Sequence, residues 1–265
     1  MSAVLEIGIE GIGVWAPELP DWPAAQRIFA DAAPIVAAPT ARPAATALAA
    51  GERRRAPESV LIAVEAAQQA CAMADREARE LPHVFASAYG DLAINDYLCA
   101  TLARTPAEVS PTKFHNSVHN APAGYWAIAS GCMRASTAVS AGAASFGAGL
   151  LDAAVRACGE VEPVLFVAYD LAACGPLRDT IASRSAFASA FVLAPWSPRA
   201  VARARLRVGA GAATLAPMPP LLHASHAGNP AAAGLPLLVV LARRESAVVR
   251  IAAAPSLHLD MEISF

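Results

Sequence analysis

Residues 135–147 read ASTAVSAGAASFG, and this stretch decides the expected fold. Ala135–Ser140 is predicted to form a strand, and a helix is predicted from about Ser145 to Arg156. The glycine- and alanine-rich residues between them fit a tight turn. A strand that passes directly into a helix is the building unit of layered α/β proteins.

The same unit recurs on both sides of this stretch. Strands are predicted at Val4–Trp15, His83–Gly90, Val164–Tyr169 and Ala188–Ala194, and helices at Ala24–Phe29, Pro57–Cys71, Ala93–Arg104 and Ala123–Ser130. The polar residues from Thr105 to Asn120 are predicted to form a loop. This order of elements predicts an α/β fold in which helices cover the sheet.

The composition of the chain changes towards its C-terminus. Residues 209–236 are rich in Ala, Pro and Gly and are predicted to be a loop or linker. Strands are predicted beyond it, at Leu237–Ala242 and Val248–Ala253 and at an edge strand ending at Phe265. We expect residues 1–208 to form the main unit, and residues 209–265 to add a linker and shortened strands to the same domain.

Composition excludes several classes of protein. Hydrophobic residues make up 56% of the 265 residues, which is too apolar for a disordered chain. The net charge is −2, and the 20 basic residues, all Arg except Lys113, form no basic stripe, so we expect no nucleic-acid partner. No apolar run is long enough for a membrane span. Five scattered cysteines and no secretory signal predict reduced thiols and a cytoplasmic protein.

The densest polar stretch is SPTKFHNSVHNAPAGYW, Ser110–Trp126. His115 and His119 have the spacing of metal ligands on a helix, but a third, carboxylate ligand is missing, so no metal site is expected. The glycines of Val4–Trp15 do not form a dinucleotide-binding fingerprint, and no cofactor is expected. The plainest interpretation of the polar stretch is that its Asn and His side chains satisfy buried backbone groups.

A serine nucleophile is the second chemical interpretation. Ala143-x-Ser145-x-Gly147 nearly matches G-x-S-x-G, in which a helix N-terminus stabilises a developing anion. The acid and base of such an enzyme would come from Asp170, Asp179, His223, His226 or His258. Because Ser, Ala and Gly are frequent in this chain, the residues alone leave both a structural turn and a nucleophile open.

The run from Ser110 to Ser145 resembles the first half of a β-ketoacyl synthase. In that family a loop with Pro and Asn leads into an Ala-Gly helix, as Asn120-Ala-Pro-Ala-Gly124 does here. A glycine follows, like Gly131, and then a strand that delivers the nucleophilic Cys at the start of a helix. The resemblance extends over residues 1–195 and implies a thiolase-like layered fold of helices and mixed sheet, with a truncated second half.

The catalytic pattern of the family is altered in this chain. Its Ser-Thr-Ala-Cys-x-x-Gly resembles Ser136-Thr-Ala-Val-Ser-Ala-Gly142, which places Val139 at the position of the nucleophile. A shift of one residue would place Ser140 there instead. The His pair of the family's second half has no counterpart, because neither His-Gly-Thr nor Gly-His-Thr-x-Gly occurs, and its Lys has none, because no lysine follows Lys113. We therefore expect that this chain is not an enzyme by itself.

A condensing-enzyme homologue without its catalytic residues resembles a chain length factor, here in the short form of aryl polyene pathways. The resemblance implies a heterodimer with a ketosynthase in polyketide or fatty-acid-like biosynthesis, visited by an acyl carrier protein through the ketosynthase. Residues expected at the acyl tunnel or interface are Phe114, His115, Asn116, His119, Asn120, Tyr125, Trp126, Ser140 and Ser145.

Among these residues, the bulky Phe114, Tyr125 and Trp126 are expected to limit the depth of the tunnel. Two alternatives remain. One is an acyltransferase or hydrolase that uses Ser145 or Ser140, and the other is a homodimeric binding protein of thiolase fold.

Overall fold

The sheet of the computed structural model, which describes residues 4–30, 42–212 and 225–265, is mixed. Its eight described strands are β1 (Val4–Trp15), β2 (His83–Ala86), β3 (Ser136–Val139), β4 (Val164–Asp170), β5 (Phe187–Pro195), β6 (Ala202–Ala210), β7 (Ala247–Ala254) and β8 (Leu257–Ser264). They lie in the order β3-β2-β4-β5-β1-β6-β8-β7. β2 is parallel to β3 and β4, and the other described pairings are antiparallel.

Helices lie on both faces of this sheet, which confirms the predicted α/β fold. The described helices are α1 (Trp22–Phe29), α2 (Ala50–Arg55), α3 (Glu58–Ala74), α4 (Leu92–Arg104), α5 (Pro111–Asn116), α6 (Ala121–Ser130), α7 (Ser145–Gly159) and α8 (Leu235–Arg243). The buried side chains of α1, α7 and α8 pack on one face, and those of α3 and α6 pack on the other. Among the described residues, no helix is both long and apolar enough to cross a membrane.

Two glycines of β1 explain how closely α3 approaches the sheet. A Cβ atom at Gly11 would clash with the carbonyl oxygen of Ala70. One at Gly13 would clash with the carbonyl oxygen of Ala66, one helical turn earlier. The glycines therefore serve backbone contact between strand and helix, as glycine within a strand often does.

Part of the polar stretch is helical, so the prediction of a loop over Thr105–Asn120 is wrong in this part. Ser110 accepts a hydrogen bond on its hydroxyl oxygen from the backbone N–H of Lys113, at 3.4 Å, and Pro111 occupies the first turn of α5. A serine N-cap followed by proline is a standard helix start. The helix is only six residues long and mostly polar, so the sequence shows no helical repeat of apolar residues there.

The C-terminal elements differ most from the prediction. Leu237–Ala242 lies inside α8 and is not a strand, since a short apolar run fits either structure and Pro236 favours a helix start. β6 was not predicted, because only two small side chains, those of Ala202 and Ala204, and Leu206 mark the buried face of its alternating sequence. The last strand, β8, is interior and pairs with β6 and β7, so β7 forms that edge of the described sheet.

The predicted linker, residues 209–236, contains the end of β6 and a 3-10 turn at Pro230–Gly234. Its middle, including His223, lies outside the described residues.

Candidate functional site

The carboxyl ends of the three parallel strands meet at one edge of the sheet. We call this the carboxyl edge and define it by the residues that end or follow these strands: Ser87–Gly90 after β2, Ser140 after β3 and Asp170 at the end of β4. Polar groups at such an edge lie close together, because parallel strands end side by side.

The orientation of β3 determines which side chain faces outward at the carboxyl edge. The hydroxyl oxygen of Thr137 accepts a hydrogen bond from Arg156 of α7 at 2.9 Å. Val139, two residues on and therefore on the same face, packs against the core on the α7 side. Ser140 is exposed, and its hydroxyl donates to the carbonyl oxygen of Ala88 at 3.2 Å. The accessible side chain at the end of β3 is thus that of Ser140.

Ser145 closes the turn between β3 and α7. Its buried hydroxyl donates to the carbonyl oxygen of Gly142 at 2.7 Å and accepts from the N–H of Ala141 at 2.9 Å. Gly142 has a φ of +57°, a left-handed conformation that glycine adopts without strain. Both hydrogen-bonding functions of Ser145 are therefore used by the turn itself.

The acid and base proposed for a serine enzyme do not meet Ser140 or Ser145 in the described part of the chain. His226 contacts Glu18 at 2.6 Å, and His258 bonds to the carbonyl oxygen of Gly211 at 3.0 Å. Asp179 is exposed. Asp170 binds the hydroxyl of Ser87. These positions give no support to a catalytic triad among the described residues.

Asp170 organises the turn that follows β2. It is 0% exposed, and its carboxylate accepts from the hydroxyl of Ser87 at 2.8 Å and from the N–H groups of Ala88 and Tyr89 at 3.0 and 3.2 Å. Burial raises the pKa of Asp170 to about 6, although these hydrogen bonds act in the opposite direction. The Ser87 oxygen in turn accepts from the N–H of Gly90 at 2.9 Å.

His119 joins the polar stretch to this turn. Its Nε2 lies 2.9 Å from the carbonyl oxygen of Ser87, which can only accept, so Nε2 carries the proton. Tyr169 donates its hydroxyl to the backbone carbonyl of His119 at 3.1 Å. Burial raises the pKa of Tyr169, which keeps the phenol protonated as a donor.

A groove of about 440 Å³ lies between α2 and the helices α5 and α6. Three candidates from the sequence line it: His115, Asn120 and Tyr125. A neighbouring groove of about 430 Å³ shares Arg55 and Thr112 with the first and reaches Asn116. The Tyr125 hydroxyl donates to Asn116 Oδ1 at 3.1 Å, so the two grooves are linked by a hydrogen bond.

The three bulky candidates have different environments. Phe114 projects from α5 and is 64% exposed. Tyr125 lines the first groove. Trp126 is 1% exposed and belongs to the buried cluster beneath α3, and it is not among the residues that line either groove.

An apolar surface adjoins the groove and β3. β3 ends the described sheet on this side, so one edge of its backbone has no neighbouring strand there. Val118 is exposed, Ile128 is 75% exposed, and Met133 in the connection to β3 is 95% exposed. Isolated exposed apolar residues are common, but several on the helix that contacts β3 and on the segments flanking that helix, together with a free strand edge, are typical of a contact surface.

Sequence reasoning missed the role of Asp170 and its partner Ser87. Asp170 was considered only as the acid of a serine enzyme. A signal was present, since a carboxylate ends β4, a strand whose seven residues are all buried. A buried carboxylate needs donors, but the sequence did not show that they come from the turn after β2. Within the described ranges, no three His, Cys, Asp or Glu side chains are placed to hold a metal ion.

Several solved structures share this fold. A chain in the complex of the ketosynthase ApeO with its chain length factor ApeC from Xenorhabdus doucetiae is 21% identical, with a TM-score of 0.73, and the match covers 97% of this chain and 99% of that one. A chain of the ishigamide ketosynthase/chain length factor is 13% identical, with a TM-score of 0.75 and coverage of 98% and 99%.

A third structure, AntDE:AntF, is a type II PKS acyl-carrier protein in complex with its ketosynthase bound to the hexaketide. One of its chains is 10% identical, with a TM-score of 0.74 and coverage of 100% of this chain and 99% of that one. These likenesses confirm the predicted thiolase-like layered fold.

Sequence comparison gives the family. No curated protein sequence matches the chain. The family model described as the β-ketoacyl synthase, N-terminal domain, matches residues 22–250, which is most of the sequence. The fold, the strand–turn–helix at the carboxyl edge and this match agree, and the chain belongs to the β-ketoacyl synthase family through that N-terminal domain.

Proposed function

We propose that this protein is a chain length factor, a non-catalytic subunit that pairs with a ketosynthase and bounds the acyl tunnel. The observation that carries the proposal is the end of β3. A condensing enzyme needs a thiol there, but the accessible side chain is that of Ser140, whose hydroxyl bonds to Ala88. Serine is a poor acyl acceptor without a base, and no described histidine bonds to Ser140.

The two cysteines nearest to β3 in the sequence lie away from its carboxyl end. Cys132 precedes β3, and its buried thiol contacts the carbonyl oxygen of Leu81 at 3.3 Å. Cys158 lies near the end of α7 and contacts the carbonyl oxygen of Glu6 at 3.5 Å. Neither thiol lies at the carboxyl edge, which supports a subunit that does not form the acyl-enzyme.

The free edge of β3 is the proposed contact with the ketosynthase. An unpaired strand edge accepts a strand from another chain through backbone hydrogen bonds. Ile128 is exposed on α6, which contacts β3, and Met133 is exposed in the connection to β3, so both would bury apolar area in a complex formed there. Two of the structures that share the fold are complexes of a ketosynthase with a chain length factor, which supports a heterodimeric partner of this kind.

The groove beside α5 and α6 is the proposed end of the acyl tunnel. His115, Asn120 and Tyr125 line it, and Phe114 projects from the same short helix as His115. We propose that these side chains limit chain growth in a polyketide or polyene pathway, with aryl polyene synthesis as the specific case. Carrier-bound acyl chains would then enter through the ketosynthase, and a carrier protein is present in one of the similar structures.

The mass of the native complex tests the proposal. The tagged chain is purified from its own cells, and the masses of the intact species are measured. We expect a complex with equal amounts of this chain and a ketosynthase. A monomer or homodimer without a synthase would contradict the proposal, and the homodimer would favour a binding protein that uses the same β3 edge for a second copy.

A further inference from the structure

Asp170 connects the ends of two neighbouring strands, β4 and β2. Its carboxylate receives one O–H and two N–H donors from three consecutive residues, Ser87, Ala88 and Tyr89. Charged hydrogen bonds of this kind are stronger than neutral ones, and burial from water strengthens them further. The carboxylate thus fixes the path of the chain as it leaves β2.

Asp170 itself is held from the opposite side. The side-chain amide of Asn229 donates to the backbone carbonyl of Asp170 at 3.1 Å and to that of Ser185 at 2.7 Å. The oxygen of the same amide accepts from the N–H of Ala231 at 3.0 Å. Both the NH₂ group and the oxygen of the Asn229 side chain are therefore hydrogen-bonded. This fixes the backbone of Asp170 and orients its carboxylate towards the turn.

The Ser87–Gly90 turn orients two candidate residues of the site through hydrogen bonds. The carbonyl oxygen of Ala88 accepts from Ser140, and that of Ser87 accepts from His119 Nε2. Neither Ser140 nor His119 contacts Asp170 directly. The carbonyl of Ser87 shares a peptide plane with the N–H of Ala88, and the carbonyl of Ala88 shares one with the N–H of Tyr89. Because Asp170 binds both N–H groups, it also fixes the directions of both carbonyl groups.

We propose that Asp170 is a positioning residue, which holds the Ser87–Gly90 turn so that Ser140 and His119 keep fixed orientations at the carboxyl edge. An effect of Asp170 on acyl chains rests on the proposed function, in which the carboxyl edge faces the ketosynthase. The effect of Asp170 on the orientations of Ser140 and His119 does not rest on it, because it concerns this chain alone.

The effect on these orientations is tested on the chain alone at pH 8. In Asp170→Asn the amide oxygen can take the place of Oδ1, which accepts from Ser87, Ala88 and Tyr89, but it carries no charge. The NH₂ group replaces Oδ2, which accepts from Ala88 at 3.3 Å, so the hydrogen bonds to the turn become weaker. We expect amide hydrogens of Ala88 and Tyr89 to exchange roughly tenfold faster or more. We also expect the ¹⁵N shifts of the His119 ring to move from a fixed Nε2–H form towards the average of both tautomers.

Ser183→Ala is the matched control. The buried Ser183 hydroxyl donates to the carbonyl oxygen of Leu171 at 2.7 Å, directly after Asp170 in the chain, and it does not bond to the turn. This variant should lower the melting temperature and leave the His119 signals unchanged. If Asp170→Asn destabilises the protein as Ser183→Ala does and also leaves His119 unchanged, the positioning role is overturned.

Ser87→Ala covers the case in which Asp170→Asn fails to fold. It removes the hydroxyl donor and leaves the two N–H donors in place. The same changes at His119 are expected with a smaller amplitude, and their absence in this variant would also overturn the proposal.

The effect on acyl chains is tested in the complex with the ketosynthase. Asp170→Asn should alter the distribution of product lengths while a complex of native mass still forms, and Ser183→Ala should not. Unchanged products together with altered His119 signals would contradict an effect of Asp170 on product length, but they would leave its positioning of the turn supported. Failure of the wild-type chain to pair with any ketosynthase would instead contradict the proposed function, and the result at His119 would stand independently.

Discussion

Ser140 donates its hydroxyl hydrogen to the carbonyl oxygen of Ala88 across 3.2 Å, which links the ends of β3 and β2. The bond holds the first exposed side chain after β3 against the neighbouring turn. Ser145, five residues further on, is buried and closes its own turn. The two serines that the sequence offered as nucleophiles thus have distinct structural roles, and each can be tested separately.

Replacing the serines should affect stability unequally. Ser145→Ala leaves the N–H of Ala141 and the carbonyl of Gly142 without this partner and should lower the free energy of unfolding by about 1–3 kcal/mol. Ser140→Ala should lower it by less than about 0.5 kcal/mol because the side chain is exposed. Urea denaturation measures both.

The same chains also test the alternative of a serine enzyme. Neither the wild-type chain nor the variants should react with a serine-directed phosphonate, and labelling of Ser140 or Ser145 would support that alternative.

Truncating Phe114 should lengthen the products of the complex. Because Phe114 is largely exposed and lines neither groove of this chain, Phe114→Ala should fold normally. In the proposed complex its side chain would add to the tunnel wall from α5, so its removal should shift the products towards longer chains. Mass spectrometry of products from the reconstituted complex gives the answer. Val248→Ala, an exposed apolar residue on β7, is the control that should change nothing. Equal product lengths in both variants would exclude Phe114 as a tunnel wall.

Trp126 needs a different expectation, because it is buried in the chain's own core. Trp126→Ala should cost about 3–5 kcal/mol of unfolding free energy through the cavity that it leaves. A change in product length in that variant would therefore report on a damaged fold and would say nothing about the tunnel.

The fold was largely predictable because its elements carry strong local patterns. β1, β4 and β5 are apolar runs of strand length, and the buried helix α3 follows a proline. α8 was predicted wrongly as a strand, since a short run of Leu and Val fits both structures equally. β6 was missed because alternating Arg and Ala only form a strand once β1 and β8 pair with it.

The site was less predictable than the fold. The polar stretch and the turn after β3 were recognised, since both are unusual in an otherwise apolar chain. That Asp170 binds the Ser87–Gly90 turn could not be predicted, because the two strands concerned are about 80 residues apart and their parallel pairing is a tertiary property. Burial of Trp126 was also a tertiary outcome, as a tryptophan beside a polar loop fits a groove wall equally well.

Two glycine substitutions should have opposite signs. Gly13→Ala places a methyl group against the carbonyl of Ala66 and should destabilise the protein by about 1–3 kcal/mol or more. Gly124→Ala lies inside α6, where the added Cβ meets open space, and should stabilise it by up to about 1 kcal/mol. Thermal unfolding measures both effects. Gly13→Ala without a penalty would contradict the close packing of α3 on β1.

Charges beside the β3 edge should weaken the complex without unfolding the subunit. Ile128→Glu and Met133→Glu alter side chains that are already exposed in the isolated chain, so the melting temperature should stay within a few degrees. An unpaired carboxylate buried in the interface should raise the dissociation constant for the ketosynthase about tenfold or more. Analytical ultracentrifugation of the mixed subunits compares them with Val248→Glu at the far end of the sheet. Equal weakening by all three would argue against a contact at β3.

The buried carboxylate of Asp170 should make stability depend on pH in a specific direction. Its pKa in the folded chain is about 6, against an ordinary value of 3.8, so between these values the native state binds more protons than the unfolded state. The free energy of unfolding should therefore fall as the pH rises from about 4 to about 7, by up to roughly 3 kcal/mol from this group.

Other carboxyl groups act in the opposite direction. Hydrogen bonding and charge from His226 lower the pKa of Glu18 in spite of its burial, and that group loses stabilisation as the pH falls. Comparing the wild-type chain with Asp170→Asn at each pH cancels such terms, because the variant keeps them and lacks the titrating carboxyl. The wild-type stability relative to the variant should thus decrease steadily between pH 4 and pH 7 in urea titrations. A difference that stays constant over this range would mean that the hydrogen bonds from the Ser87–Gly90 turn outweigh burial and keep the carboxylate ionised throughout.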